Sequence, residues 1–366
     1  MTTIVFTATD QNGLVGTATC EVNSAFVSGE TKPTADNTGL NVLGLGWSDL
    51  TVIDGDLNIT NALADANNNV FDKYLVNGHV YFTANRPVTL KNSVVRGRTF
   101  PTPGSPPRSA IVYARSTATP STALLHLIAC EIYPIQPDVN IVCVSGEKVG
   151  VVDRCNIHGG SDLINYWGSR VQVYNSYLHA FSFWADDPKH TNDGQFPGWS
   201  HNDLIQSNGC VDGIVFGCNM DVRANPNYGG YDELVAGGFA GGVWGSGIML
   251  SGSAGYFVNF KIQNNWFGYG RNPVMMPLQS GGAFENFGCS WEVSGNRFYA
   301  LPRAYSTNSR HFIAWGLQKG PVAASVFNNS LTTDSTVPST FRDTLLPSAI
   351  TQGSGLTGQL IVKINA

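Results

Sequence analysis

One six-residue phrase recurs down the chain: an aliphatic residue, two variable residues, a small polar residue or Cys, one more variable residue, and an apolar residue. It reads Leu90–Val95, Leu127–Ile132, Val152–Ile157, Val173–Leu178, Val215–Met220, Ile262–Phe267, Val293–Phe298 and Val326–Leu331. A single copy has no partner against which to bury its apolar face, so each copy must be one course of a stack. The shortest intervals between fourth positions, 21 residues from Cys155 to Ser176 and 25 from Cys130 to Cys155, suit one turn of a parallel β-helix. The longest, 47 residues from Cys218 to Asn265, suits the same turn carrying a protruding loop. The repeat therefore predicts an all-β chain, a right-handed parallel β-helix of about ten coils over residues 41–332.

Composition supports a strand-and-turn chain. Charged residues make up 13% of the sequence, about half the usual ~25% share. No sustained 3.6-residue apolar period runs through the repeat region, whereas short β-branched runs punctuated by Asn, Gly and Ser are frequent. A formal charge of −5 without a basic run argues against nucleic acid or an anionic membrane surface as partner. No apolar stretch approaches the roughly 20 residues of a membrane span.

Seven cysteines are present, and Cys130, Cys155 and Cys218 occupy the same slot of the repeat. Equivalent slots stack about 4.8 Å apart, where a small thiol suits an internal ladder beside Ser93, Ser176 and the asparagines. Neither CxxC nor Cys/His metal spacing occurs, and free thiols are expected.

The ends differ from the middle. Residues 1–26 read as a β-hairpin, with strands around Thr3–Thr9 and Leu14–Val22 flanking the turn Asp10–Gly13. Its alternation resembles the last two strands of an immunoglobulin-like module. Residues 27–40 look like a linker, and residues 333–366 like a C-terminal cap or tail ending in the strand-like Gln359–Ile364. Open end coils need caps against strand-to-strand association. The hairpin and the apolar C-terminal strand are each suited to pairing between chains, so a homo-oligomer, as a trimer, or a phage tail partner is expected.

Two stretches coincide when the repeats are aligned: Gly160–Asn165 and His201–Gln206, carrying Asp162 eleven residues before Val173 and Asp203 twelve before Val215. On the next coil the alignment puts Gly247 at this position, predicting two stacked carboxylates facing an opening. A second column, one residue beyond each repeat, holds His158, His179, Asp221 and Gly268. Carboxylates about 5 Å apart repel, so one is expected to hold its proton unless a cation intervenes. The pair suits the acid and nucleophile, or acid and base, of glycoside hydrolysis. It also suits holding a Ca²⁺ beside a uronate, or accepting backbone N–H bonds at turns. No other cofactor is implied. Asp162, Asp203, His201 and His179 are the candidate catalytic residues.

The long loops add aromatic rings and charges. Trp184, Asp186, Asp187, His190 and Trp199 lie in one; Tyr231 and Trp244 lie in the next. With Asp221, Arg223 and Arg271, these form the candidate substrate-binding set. Aromatic faces beside carboxylates suit sugar rings, with their apolar C–H faces and hydroxyl edges.

The phrases Asn175-Ser-Tyr-Leu-His179 and Ser200-His-Asn-Asp-Leu-Ile-Gln206 resemble a group of pectate-lyase-like right-handed β-helix proteins of actinobacteria and their phages. That group carries Ser-His-Asn-Asp-Gly-Ile-Gln, and one coil earlier Gly-Gly-Asn-Asp-Gly, which Gly159-Gly-Ser-Asp-Leu163 resembles. Leu204 stands where the group has Gly. The resemblance implies the pectin lyase fold and a carbohydrate-related function, with His179, His201, Asp203 and Asp162 at matched positions. The Asn-Thr-Asp, Asp-Asp and Gly-His-Gly marks of polygalacturonase-type hydrolases are not found.

The expectation that follows is a phage tail protein that recognises a host cell-surface polysaccharide and cleaves it as a glycoside hydrolase, a depolymerase. The alternatives are a non-catalytic receptor-binding or structural tail protein and a secreted polysaccharide lyase. Few cations, with Arg223 and Arg271 the nearest, disfavour a lyase, which must stabilise an enolate. The N-terminus lacks the basic and apolar regions of a secretory signal, which favours a virion over an extracellular protein.

Overall fold

From Thr51 onward the described strands enter three sheets in rotation, apart from Phe257–Val258, which rejoins the sheet of Ser246–Leu250. Leu57–Ile59, Val70–Asp72 and Tyr74–Val76 open one round; Val80–Phe82, Val88–Lys91 and Val94–Val95 make the next. Each strand pairs in parallel with its counterpart one round earlier, as Val112 with Val80 and Leu127 with Leu90. We call the sheet containing Leu57–Ile59 the first, that containing Val70–Asp72 the second, and that containing Tyr74–Val76 the third. The structure, a computed structural model, describes residues 2–9, 15–22, 28–100, 109–115, 122–184, 200, 202–224, 246–250, 257–268, 272–276, 289–299, 311–316, 322–332 and 359–363. Among them the only α-helix is the short Asn61–Ala66. The chain is all-β, with three long parallel sheets, an arrangement compatible with a parallel β-helix.

The corner from the second sheet to the third sets the repeat. It is one or two residues long on every round, and one of them adopts a left-handed conformation: Asn92, Arg154, Asn175 and Asn264 have φ of 50°, 50°, 47° and 55°. Asn tolerates this region better than most residues, and glycine does so freely, as at Gly217 and Gly295. The third position of the phrase is thus Asn or Gly on most rounds for a backbone reason.

The next residue is the shared slot, and it points inward. Ser93, Cys130, Cys155, Ser176, Cys218, Asn265 and Asn296 are all fully buried. Ser176 Oγ accepts the Cys155 N–H at 3.0 Å, and Asn265 Oδ1 accepts the Cys218 N–H at 2.9 Å. The same side chains donate back one round: Asn265 Nδ2 to Val215 O at 2.9 Å, and Cys218 Sγ to Val173 O at 3.6 Å. Thiol and amide share the slot because both can donate to that carbonyl. The cysteine ladder read from the repeat is present, and Cys130, Cys143, Cys155, Cys210 and Cys218 are free thiols. Burial pushes the Cys218 thiol up to about 12, so this group is inert as a nucleophile.

Aliphatic columns fill the remaining interior. Val112, Val144, Ile164, Ile205 and Ile248 line the first sheet; Leu127, Val152, Val173 and Val215 line the second; Ile132, Ile157, Leu178 and Met220 line the third. Fully burying each side chain is favourable by about 1.5–3 kcal/mol, shared among neighbours on three sides.

The N-terminal strands Thr2–Thr9 and Val15–Val22 pair antiparallel, as the alternation predicts. Within the segment that the sequence marks as a linker, residues 29–40 run lengthwise over the outer face of the third sheet. Arg297 Nη1 donates to Gly29 O at 3.2 Å, Asn219 Nδ2 to Pro33 O at 2.8 Å, and Gly39 N to Arg154 O at 2.8 Å. Leu40 packs with Val94, Leu75 and Leu50. This strap explains why outward-facing Asn156, Asn219, Trp266 and Arg297 are buried. At the other end of the stack, Gln359–Lys363 pairs antiparallel with His311–Gly316, covering an edge of the first sheet.

Candidate functional site

Chain length varies at only two of the three corners. Between third and first sheet the connections run from Asp54–Asp56 to residues 182–202 and 225–245. Between first and second sheet they run from Asp212–Gly213 to residues 277–288. The first sheet alone has variable loops at both ends of its strands, while the strap covers the third.

The outer face of the first sheet carries one continuous column. Asn58, Tyr81, Tyr113, Ser145, Asn165, Gln206 and Met249 lie opposite one another on successive strands. All are exposed or half-buried, because each follows an inward-facing aliphatic residue and strand side chains alternate. Asn165 Nδ2 donates to Gln206 Oε1 at 2.6 Å, and Asn208 Nδ2 to Asn165 Oδ1 at 3.3 Å. Tyr81 meets Tyr113 edge-on, with ring centroids 6.4 Å apart. Beside them the Arg115 guanidinium lies 5.0 Å over the Trp167 ring and 3.7 Å from a Glu147 oxygen.

Asp162 and Asp203 enter this sheet at the third-to-first corner, in the stacked relation expected. Asp162 Oδ1 accepts the Asp203 N–H at 2.9 Å, and Asp203 Oδ1 accepts the Ser246 N–H at 3.2 Å. The residue paired with Asp203 on the next strand is Ser246. This corrects the alignment that put Gly247 there: Ile205 pairs with Ile248, so Gly247 falls opposite Leu204, and the rung above Asp203 carries a side chain. The true register differs from the aligned one by a single residue. Asp203 is only 2% exposed and lies on the same side of its strand as Ile205 and Ser207. Burial first, and the Asp162 carboxylate second, hold its carboxyl well above the usual carboxylate range; the hydrogen bonds from Ser246 oppose this. Asp203 therefore retains its proton well above the pH at which an exposed Asp loses it. Asp162 is half-buried.

The second expected column is also formed. His158 pairs with His179, His179 with Asp221, and Asp221 with Gly268. The rings of Tyr133, His158 and His179 stack at 4.8 and 5.0 Å. Tyr177 lies 3.9 Å from His179 within the same strand. His158 Nε2 is 3.6 Å from Glu131 Oε1, and a His179 ring nitrogen is 2.9 Å from Asn156 Oδ1. Asp221 is 9% exposed at the end of this column. The histidine faces are thus occupied by neighbouring rings.

Trp184 stands at the base of a long loop. Its N–H donates to Ser200 Oγ at 2.9 Å and its carbonyl accepts the Ser200 N–H at 2.8 Å. Asn202 ties this base to Ser161 O and Ser182 O, at 2.6 and 3.1 Å. Phe181 and Phe183 are buried in the core rather than offered to a ligand. Arg223 is in the strand Asn219–Ala224, and its side chain lies outside the described set. His201, Asp186, Asp187, His190, Trp199, Tyr231, Trp244 and Arg271 also lie outside the described residues. Among the described residues no three His, Cys, Asp or Glu side chains form a metal-binding group.

The column from Asn58 to Met249 is what sequence reasoning missed. Its signal is an aliphatic residue followed by a polar or aromatic one, as in Val112-Tyr113, Val144-Ser145, Ile164-Asn165 and Ile205-Gln206. Comparison with protein-family models, curated proteins and solved structures gives no match to this chain.

Proposed function

We propose that this chain is a right-handed parallel β-helix that binds a bacterial cell-surface polysaccharide along the outer face of its first sheet, as part of a phage tail. One observation carries the reading: among the described residues, the sheet bordered by connections of variable length at both strand ends also bears a partly exposed column of amide, hydroxyl and aromatic groups. We call this face the proposed trough; its floor repeats about every 4.8 Å, so a linear polymer meets similar groups at each step. Sugars need apolar faces for their C–H groups and donors and acceptors for their hydroxyls, and both are in the column. The hairpin is proposed to dock on a tail partner or on other copies of the chain.

A second reading, hydrolysis, is favoured by the retained proton on Asp203. In it Asp203 is the acid and Asp162 the partner carboxylate, with His179 and His201 orienting the sugar. Its burial and its bond to Ser246 also fit a purely structural role, so recognition is the primary reading. The test is to incubate the protein with polysaccharides extracted from actinobacterial envelopes. Binding is measured first, then new reducing ends, then the ultraviolet absorbance of unsaturated uronates. Binding without either product leaves recognition alone; reducing ends that vanish in Asp203→Asn establish hydrolysis; unsaturated products establish elimination. Absence of binding to every extract refutes the proposal.

A further inference from the structure

Resting on the polysaccharide reading above, we infer that the glycan taken by the first-sheet trough is uncharged. From Asn58 to Met249 the floor column spans seven strands, roughly 29 Å, and contains no Lys, Arg, His, Asp or Glu. The neighbouring charges cancel: Arg115 and Glu147 are 3.7 Å apart, and the guanidinium is already held against Trp167. A uronate or phosphate polymer brings a charge with each unit, and its capture needs cations that replace lost hydration. This floor offers none that is uncommitted. At its border stands the half-buried Asp162, which accepts the Asp203 N–H and adds no cation to the face.

What the floor offers instead is suited to hydroxyls. Asn165 engages Gln206 through Oε1, and the Gln206 Nε2 group has no partner among the described residues. The Tyr113 hydroxyl likewise forms no hydrogen bond among the described residues, while its ring edge meets Tyr81. An amide donor and a phenol three strands apart, on either side of Ser145 and Asn165, can each serve a sugar hydroxyl. The interaction with a neutral chain costs little desolvation compared with stripping water from an anion.

The test separates envelope polysaccharides by anion exchange into neutral and acidic pools and runs the protein through native gels containing each. Mannan and polygalacturonate are run alongside as defined probes. The expected result is retardation by a neutral pool, insensitive to added salt, and none by acidic polymers. Gln206→Ala and Tyr113→Ala should each weaken the retardation about tenfold, the loss of one well-made hydrogen bond, with unchanged Tm. Retardation by the acidic pool that fades with salt overturns the inference and leaves glycan binding standing. Neutral retardation that neither variant alters overturns the assignment to this face. Retardation by neither pool overturns the polysaccharide reading and this inference with it.

Discussion

Asn296 Oδ1 accepts the backbone N–H of Asn265 one round below at 2.9 Å, while Asn296 Nδ2 donates to Ile262 O at 2.9 Å. One buried side chain thus bonds two backbone groups of the neighbouring round. Asn296→Ala removes both bonds and leaves the buried Asn265 N–H without its acceptor, which costs about 1–3 kcal/mol. Cys155→Ser keeps a donor and an acceptor in the same slot. The expected outcome in urea is a large fall in the unfolding midpoint for Asn296→Ala and a small change for Cys155→Ser. Equal effects would contradict the ladder as a source of stability.

Asp203 links stability to pH. Its folded carboxyl titrates above the unfolded value near 3.8, so the fold binds the proton more tightly than the unfolded chain does. The resulting stabilisation is complete below that value and is lost as pH rises toward the folded titration point. Asp203→Asn keeps an oxygen for the Ser246 N–H and carries no charge at any pH. The variant should therefore gain in Tm relative to the native chain between about pH 4 and pH 8, measured by calorimetry across that range. A gain confined to acid pH has the wrong sign for this account.

Gly29 fastens the strap. Its φ is +74°, and a Cβ placed there would lie 2.7 Å from the Phe216 ring. Gly29→Ala is expected to lift the start of the strap without touching the interior columns. Limited proteolysis should then cut upstream of Thr38 faster than in the native chain, while the main unfolding transition moves by about 1 kcal/mol or less. Unchanged cleavage would mean that the contact to Gly29 does not hold the strap.

Ser200 closes the base of the long loop by accepting the Trp184 N–H. Ser200→Ala removes that acceptor, worth about 1 kcal/mol, beside the proposed trough. Polysaccharide retardation should fall about fivefold, with Tm nearly unchanged because Ser200 lies in none of the strands. A variant that binds as the native chain does would remove the loop base from the binding face.

The second-to-third corner was legible because its length stays at one or two residues: a left-handed residue and an inward slot recur together, so Asn175-Ser176 and Asn264-Asn265 stand out. The same constancy placed His158, His179 and Asp221 in one column, since they follow that corner at a fixed offset. The first sheet was harder to read. Its strands lie between connections of changing length, so Ser145, Asn165 and Gln206 share no constant spacing with the repeat. Gly247 was misplaced for the same reason, one residue out of register after a long loop. The strap was not legible at all: Gly29, Pro33 and Gly39 bond to the third sheet largely through backbone atoms, which no side-chain pattern announces.

The bond between Arg297 and Gly29 spans 268 positions. On the ribosome, at about 5–20 residues per second, Gly29 emerges roughly 13–54 s before its partner exists. The outer face of the third sheet, with Asn219 and Trp266 among its residues, is built during that interval while the segment that will cover it is only partly engaged. Coils can add one by one as they are made, but the strap closes from the Leu40 end toward Gly29 only as fast as new coils arrive. Translation speed thus sets the order in which this face is covered, and a pause before Arg297 prolongs the period when its last polar groups face solvent.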